Sequence, residues 1–259
     1  MKKLLPRVLQ SIYSFYTFIL FFVSGVPVLL VYLLLAPLPA RLRMRAIYVI
    51  NRTWLGTWGL LSGILIRVRG HKKVQRKDTY VILANHLNLF DIIMTGSCIQ
   101  HPFKPLIKQE LLRVPLLGQL LALTSVPVKR SDAASRQASF ERMLGELKRR
   151  MSILIFPEGT RNRTTEPLKS FYDGAFRLAI KAQVPVLPVV LLDIRKLQPV
   201  GTFLVRPGAV ILQFLDPVDT QGLGEDDVEG LKERIFRLMY DYILHNDKYF
   251  RQGIPALPA

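Results

Sequence analysis

The sequence predicts an α/β fold, a mixed and largely parallel sheet flanked by helices, preceded by a membrane-embedded two-helix hairpin. Three observations carry this expectation. Beyond Gly70 short apolar runs alternate with helical stretches. Before it lie two long apolar segments with basic residues at every end. Residues 1–77 hold thirteen Lys and Arg and no Asp or Glu, the first acid being Asp78. The expected division is a hairpin over 1–66 and an α/β domain over 67–259, one sizeable core plus an appendage.

From Val8 to Ala40 no side chain is charged, and Ile12 to Ala36 is long enough to cross a hydrocarbon core about 30 Å thick. A second apolar segment, Ala46 to Ile66, is broken only by Arg52 and carries Trp54 and Trp58, residues that favour the membrane interface. If both segments spanned, Arg41, Arg43 and Arg45 between them would lie opposite the outer basic clusters, against the tendency of Lys and Arg to stay cytoplasmic. A hairpin held in one leaflet avoids that conflict, and Pro27 after Gly25 suits a bent, interfacial path. The chain therefore reads as monotopic on an anionic membrane surface, where each basic residue contributes on the order of 1 kcal/mol. A cleaved signal peptide is disfavoured by the length of the first segment.

In the body, strands are predicted at Ile64–Val68, Tyr80–Ala84, Lys104–Ile107, Val126–Val128, Ile153–Phe156, Val186–Leu192 and Val210–Phe214. Helices are predicted at Asp91–Ile99, Gln109–Val114, Ser135–Arg150, Tyr172–Lys181 and Asp227–Leu244, the last amphipathic and led in by an acidic, Gly-containing loop. The net charge of +17 implies anionic partners, but no nucleic-acid motif or aromatic-basic stripe is present. The single Cys98 excludes an internal disulfide, and His71, His86, His101 and His245 form no metal-ligand spacing, so neither metal nor cofactor is expected.

Polar loops follow several of these strands. Asn85-His86-Leu87-Asn88-Leu89-Phe90-Asp91 sits directly behind the apolar run TYVILA. On an unbroken helix a five-residue offset turns two side chains about 140° apart, so His86 and Asp91 meet only across a bend. With His86 closing the strand and Asp91 in the first helical turn, the carboxylate reaches one ring nitrogen and leaves the other as a base. A core histidine beside a helix-start aspartate fits the same seven residues. Phe156-Pro157-Glu158-Gly159-Thr160-Arg161 follows another buried-type run. There Gly159 permits close backbone approach, and Arg161 offers a phosphate two parallel hydrogen bonds. Glu158 is expected to pair with Arg161 or another cation, or to accept a substrate hydroxyl. Arg130, closing Val126-Pro127-Val128-Lys129-Arg130, and Lys108, after FKPLI, are further cations at strand ends, suited to a phosphate or an oxyanion. Ligands of α/β sheets bind outside the carboxyl ends of strands, so these loops are expected to share one crevice.

With these blocks in view, the chain resembles the glycerolipid acyltransferases typified by 1-acyl-sn-glycerol-3-phosphate acyltransferase, over about Arg67 to Asp216 and including the hydrophobic two-helix lead. The family's NHxxxxD block reads complete as Asn85 to Asp91, and its FPEGTR block as Phe156 to Arg161. TSVPVKR matches the intermediate block except for Thr124 in place of glycine, Val184-Pro185-Val186-Leu187-Pro188-Val189 matches the apolar fourth block, and FYDGAF is the usual continuation of the third. The resemblance implies transfer of a fatty acyl group from an acyl thioester, on acyl carrier protein or coenzyme A, to the sn-2 hydroxyl of lysophosphatidic acid, giving phosphatidic acid for phospholipid biosynthesis. It implies His86 as general base oriented by Asp91, and Arg130, Glu158, Gly159, Thr160 and Arg161 as acceptor-binding positions. It also implies an inner-membrane location with the catalytic domain on the cytoplasmic face. No GxSxG elbow is present and Cys98 has no evident activating partner, so direct attack without an acyl-enzyme is expected. An acyltransferase for another lysolipid and a non-catalytic lipid-binding protein on the same fold are the alternatives.

Overall fold

The computed structural model describes residues 4–75, 78–88, 90–115, 117–129 and 131–251. Its seven strands are β1 (Ile64–Arg69), β2 (Val81–Ala84), β3 (Phe103–Lys108), β4 (Val126–Val128), β5 (Ser152–Ile155), β6 (Val186–Leu192) and β7 (Gly208–Phe214). They form one sheet in the order β1-β7-β6-β2-β5-β3-β4, parallel at every pairing except β6 with β7. The helices are α1 (Leu4–Leu34), α2 (Ala40–Leu61), α3 (Phe90–Cys98), α4 (Leu117–Thr124), α5 (Ala133–Lys148), α6 (Gly174–Ala182), α7 (Ile194–Leu197), α8 (Val228–Asn246) and α9 (Lys248–Arg251). Residues 109–113 make a 3₁₀ turn instead of the α-helix expected there, and α4 and α7 were not anticipated.

Strands β2, β5 and β6 are buried at every position, as strands covered on both faces must be. Their alternation divides the core in two. Val81 and Leu83 of β2 face α5, α6 and α8, packing with Leu147, Leu178, Ile235 and Met239. Ile82 and Ala84 face the other way, toward Leu55 and Trp58 of α2 and Met94 of α3. Strands β2 to β6 run in one direction, so their carboxyl ends share one edge of the sheet.

The second apolar segment of the sequence divides between two elements. Helix α2 ends at Leu61, Gly63 turns the chain at φ 65°, and Ile64 opens β1. Its tryptophans pack and hydrogen-bond against α1. The Trp58 indole donates to the Thr17 carbonyl at 3.2 Å, that of Trp54 donates to Ser24 Oγ at 2.9 Å, and both rings pack on Phe21. Gly25 makes that approach possible, since a Cβ there would lie 3.1 Å from the Trp54 ring. Tyr13 with Ser62, Tyr16 with Leu61 and Tyr32 with Asn51 complete the contact, partner numbers falling along α2 as they rise along α1. Among the described residues only Arg7–Leu34, continuous through Pro27, is long and apolar enough to cross a membrane. Arg43, expected at a membrane edge, turns inward and donates to the carbonyls of Ala36, Leu38 and Leu123, tying the α1–α2 connection to α4.

Candidate active site

Strand β2 stops at Ala84, and the next side chain continues its work. Asn85, 1% exposed, accepts from the Leu191 N–H at 2.7 Å and donates to the Leu191 carbonyl at 3.1 Å, filling the place a further β2 residue would take against β6. The chain can then leave the sheet at His86 without leaving β6 unpaired. His86 Nδ1 lies 2.7 Å from Asp91 Oδ2, with Asp91 in the first turn of α3. The same oxygen accepts the N–H groups of Leu87 at 2.5 Å and Asn88 at 2.8 Å, which fixes the bend. Burial raises the Asp91 carboxyl above its ordinary range, and the donors from His86, Asn88 and Leu87 work against that rise. Asp91 is fully buried whereas the His86 side chain keeps 16% of its surface open, so of the pair it is the imidazole that can be reached from outside. Its ring stacks on Phe156 with centroids 4.3 Å apart. A carboxylate on Nδ1 selects the tautomer that leaves Nε2 as the acceptor.

The loop after β5 locks onto this bend. Glu158 is buried and does not pair with Arg161. Its oxygens accept the backbone N–H of His86 at 2.8 Å and of Lys169 at 2.9 Å. Backbone donors from two loops converge there, and an ion pair with the exposed Arg161 would draw the carboxylate away from both. Desolvation pushes the Glu158 carboxyl up to about 7 despite those two bonds, with the Asp91 charge adding to the rise. Gly159 sits at φ 70°, where a Cβ would fall 2.6 Å from the Tyr172 ring. Asn162 adds a second tie. Its N–H donates to the His86 carbonyl at 2.6 Å, and its buried side chain organises the next turn through Thr164 and the Glu166 carbonyl.

On either side of Asn162 the loop borders an open cleft of about 490 Å³ lined by Thr160, Arg161, Arg163, Thr164 and Lys169. Lys169 Nζ donates to Thr160 Oγ1 at 2.8 Å. Three cations around polar donors make an anion site. The floor of the cleft is held from behind by Arg195, 4% exposed, which donates to the carbonyls of Thr164 and Glu166, both at 2.7 Å. Its guanidinium lies 5.3 Å from the Tyr249 ring and 5.4 Å from the Phe250 ring, so α9 is part of this support. Lys108, at the same edge of the sheet, is largely exposed and faces Glu110 at 3.5 Å. Arg130 lies outside the described residues. The geometry thus joins His86, Asp91, Glu158, Gly159, Thr160 and Arg161 through direct bonds or chain continuity. Asn85, Asn162, Arg163, Lys169 and Arg195 were missed. The partners of Asn85 and Arg195 lie 106 and about 30 residues away in sequence, so although Asn85 opens the NHxxxxD block, nothing local marks what either side chain bonds.

The family model described as acyltransferase matches residues 65–192, from β1 to the end of β6. The 1-acyl-sn-glycerol-3-phosphate acyltransferase of Salmonella typhimurium is 33% identical over 190 residues, covering 73% of this chain and 76% of that protein. The chain belongs to the 1-acyl-sn-glycerol-3-phosphate acyltransferase family. The Escherichia coli protein of that name is 31% identical over 207 residues, 76% of this chain and 83% of its own. A crystal structure of the 1-acyl-sn-glycerophosphate acyltransferase of Thermotoga maritima shares the fold with a TM-score of 0.72, at 23% identity over 95% of this chain and 97% of that one. In this acyltransferase, as the geometry has it, the histidine and aspartate of the first block and the glutamate of the third form one bonded unit with backbone groups between them.

Proposed function

We propose that this acyltransferase moves a fatty acyl group from a thioester of acyl carrier protein or coenzyme A to the sn-2 hydroxyl of 1-acylglycerol 3-phosphate, giving phosphatidic acid. The observation that carries the reading is the 2.7 Å contact of His86 Nδ1 with the buried Asp91, formed where the loop that bonds the His86 backbone also presents Arg161, Arg163 and Lys169 along an open cleft. The acceptor's phosphate sits among Arg161, Arg163, Lys169 and the Gly159–Thr160 backbone, with Arg130 a further phosphate ligand. Glu158 serves the acceptor indirectly, by holding the two loops in register.

Asp91 keeps the proton of His86 on Nδ1, so Nε2 takes the proton of the sn-2 hydroxyl as its oxygen attacks the thioester carbonyl. The tetrahedral oxyanion is stabilised by a cation, for which Lys108 is the candidate. Collapse breaks the carbon–sulfur bond, and the departing thiolate receives the proton from Nε2. Acyl, proton and thiol are all accounted for, with no cofactor and no acyl-enzyme. Helices α1 and α2 form the membrane-associated unit, monotopic on the cytoplasmic face of the inner membrane, and the chain from β1 onward forms the catalytic domain, so the boundary expected at 66/67 moves to the turn before Ile64. Burial of the phosphate end in the cleft leaves the lysolipid's own chain directed back to the leaflet.

The test is to incubate the purified enzyme in detergent with lysophosphatidate and a panel of other lysolipids, each offered acyl carrier protein and coenzyme A thioesters. Mass spectrometry of the products should show phosphatidate formed in preference to every other product. Preference for an acceptor lacking a phosphomonoester would overturn the acceptor assignment.

A further inference from the structure

Phe203 is 83% exposed, more than any other large apolar side chain among the described residues. One exposed phenylalanine is ordinary. What sets this one apart is that the loop holding it outward is itself fixed. Gln198 Nε2 donates to the Thr202 carbonyl at 2.9 Å, Thr202 Oγ1 donates to the Pro199 carbonyl at 3.0 Å, and the Arg206 N–H donates to the Leu197 carbonyl at 2.8 Å. Val205, fully buried, anchors the far side of the loop through its N–H to Ser14 Oγ of α1 at 2.8 Å. A ring on so constrained a turn is displayed.

Its neighbours share the character. The loop abuts the junction of α2 and β1, where the Gly208 N–H donates to the Gly63 carbonyl at 3.0 Å and Pro207 packs against Gly63. Leu60 and Leu61 are exposed at that junction, and Tyr16 of α1 bonds to the Leu61 carbonyl. Beside Ser14, Ile12 and Phe15 of α1 are also exposed. Exposed apolar side chains of α1, of the α2–β1 junction and of the 199–207 loop thus lie on segments bonded directly to one another, and exposed apolar groupings mark membrane or partner sites. Charge points the same way. From Ile194 to Leu215 there is no Asp or Glu, and Arg206 is exposed at the end of the loop, repeating far along the chain the acid-free composition of residues 1–77.

We propose that the 199–207 loop is a second membrane-insertion point, with Phe203 entering the acyl boundary of an anionic bilayer and Arg206 meeting its headgroups. The occupant is lipid because the loop is bonded to α1, whose length and composition suit a bilayer. Two separated contacts, a helix and a loop, fix the orientation of the catalytic domain on the leaflet, which a single anchoring helix leaves free to swing. The proposal rests on the reading of α1 as membrane-embedded.

The test labels single cysteines with an environment-sensitive fluorophore in a Cys98→Ser background, the full chain being reconstituted into phosphatidylglycerol/phosphatidylcholine vesicles with or without brominated acyl chains. Phe203→Cys tests the loop, Phe22→Cys reads α1, and Lys181→Cys, exposed on α6, serves as the remote control. The expected result is quenching at Phe203→Cys and Phe22→Cys and none at Lys181→Cys. Quenching at Phe22→Cys alone overturns the loop proposal and spares the reading of α1. Quenching at neither overturns both, and quenching at all three overturns the fixed orientation. As a second measurement, Phe203→Ser should lower the residence of the domain at the bilayer, read as protease access to the loop, on the order of tenfold. Equal access in the two proteins would contradict the proposal.

Discussion

Replacing Asn85 with Ala strips two backbone groups of their partners at once. The Leu191 N–H and carbonyl bond the Asn85 side chain at 2.7 and 3.1 Å, at a site 1% exposed, so water does not readily take its place. A buried backbone group left unpaired costs about 1–3 kcal/mol, so the two together should destabilise the domain by about 2–6 kcal/mol. Asn85→Asp separates the two bonds, since it keeps an acceptor for the N–H but sets a carboxylate against the Leu191 carbonyl, and it should cost no less than the alanine. Because Asn85 precedes His86 directly, both variants should also lose turnover at temperatures where they remain folded. Urea unfolding in mild detergent, followed by tryptophan fluorescence, measures the first effect and steady-state transfer the second. A loss below about 0.5 kcal/mol for Asn85→Ala would refute the argument that this side chain substitutes for a strand residue.

Arg195→Ala should weaken acceptor use, raising KM for the lysolipid roughly tenfold or more while the KM for the acyl donor stays unchanged, and Arg195→Lys should restore little, because one ammonium does not reproduce the forked contact with the Thr164 and Glu166 carbonyls. Equal KM values in wild type and Arg195→Ala would remove it from the support of the cleft. A carboxyl raised in the folded state binds its proton more tightly there than in the unfolded chain, so the contribution of Glu158 is greatest below its ordinary value and is lost as pH rises through about 7. The span from 4.5 to about 7 corresponds to about 3 kcal/mol, and the melting temperature of wild type relative to Glu158→Gln should fall from pH 5 to 8; parallel profiles would contradict the shift. Gly159→Ala should cost about 1–2 kcal/mol from its positive φ alone. Tyr172→Ala in the same chain should fail to restore that loss, whereas full restoration would assign the cost to the ring contact.

The seven strands were legible because β2, β5 and β6 are buried on both faces and read as unbroken apolar runs. Their order and the reversal at β7 were not, since pairing such as Val189 with Phe214 leaves no local trace. The apolar segment from Ala46 to Ile66 looked uniform because α2 and β1 are both half-buried against other elements, and composition cannot tell a helix packed on α1 from one packed in lipid. His86 and Asp91 were legible because their bond closes over five residues. For Glu158 a pair with Arg161 was one expectation, and that pair does not form. Its true partners are main-chain groups of His86 and Lys169, 72 and 11 residues distant, and backbone donors have no residue type to recognise. The same reason hid Arg195 and Asn162, whose hydrogen bonds run to carbonyls or involve the main chain.

The central claim is that the imidazole of His86, held by Asp91, removes the proton of the acceptor hydroxyl. Single-turnover transfer from a labelled acyl thioester to lysophosphatidate, with wild type and His86→Ala in the same detergent, tests it most directly. The rate should fall by about 10²–10⁴ in the variant while lysophosphatidate binding and melting temperature are kept. A variant that still transfers within tenfold of the wild-type rate would contradict the claim.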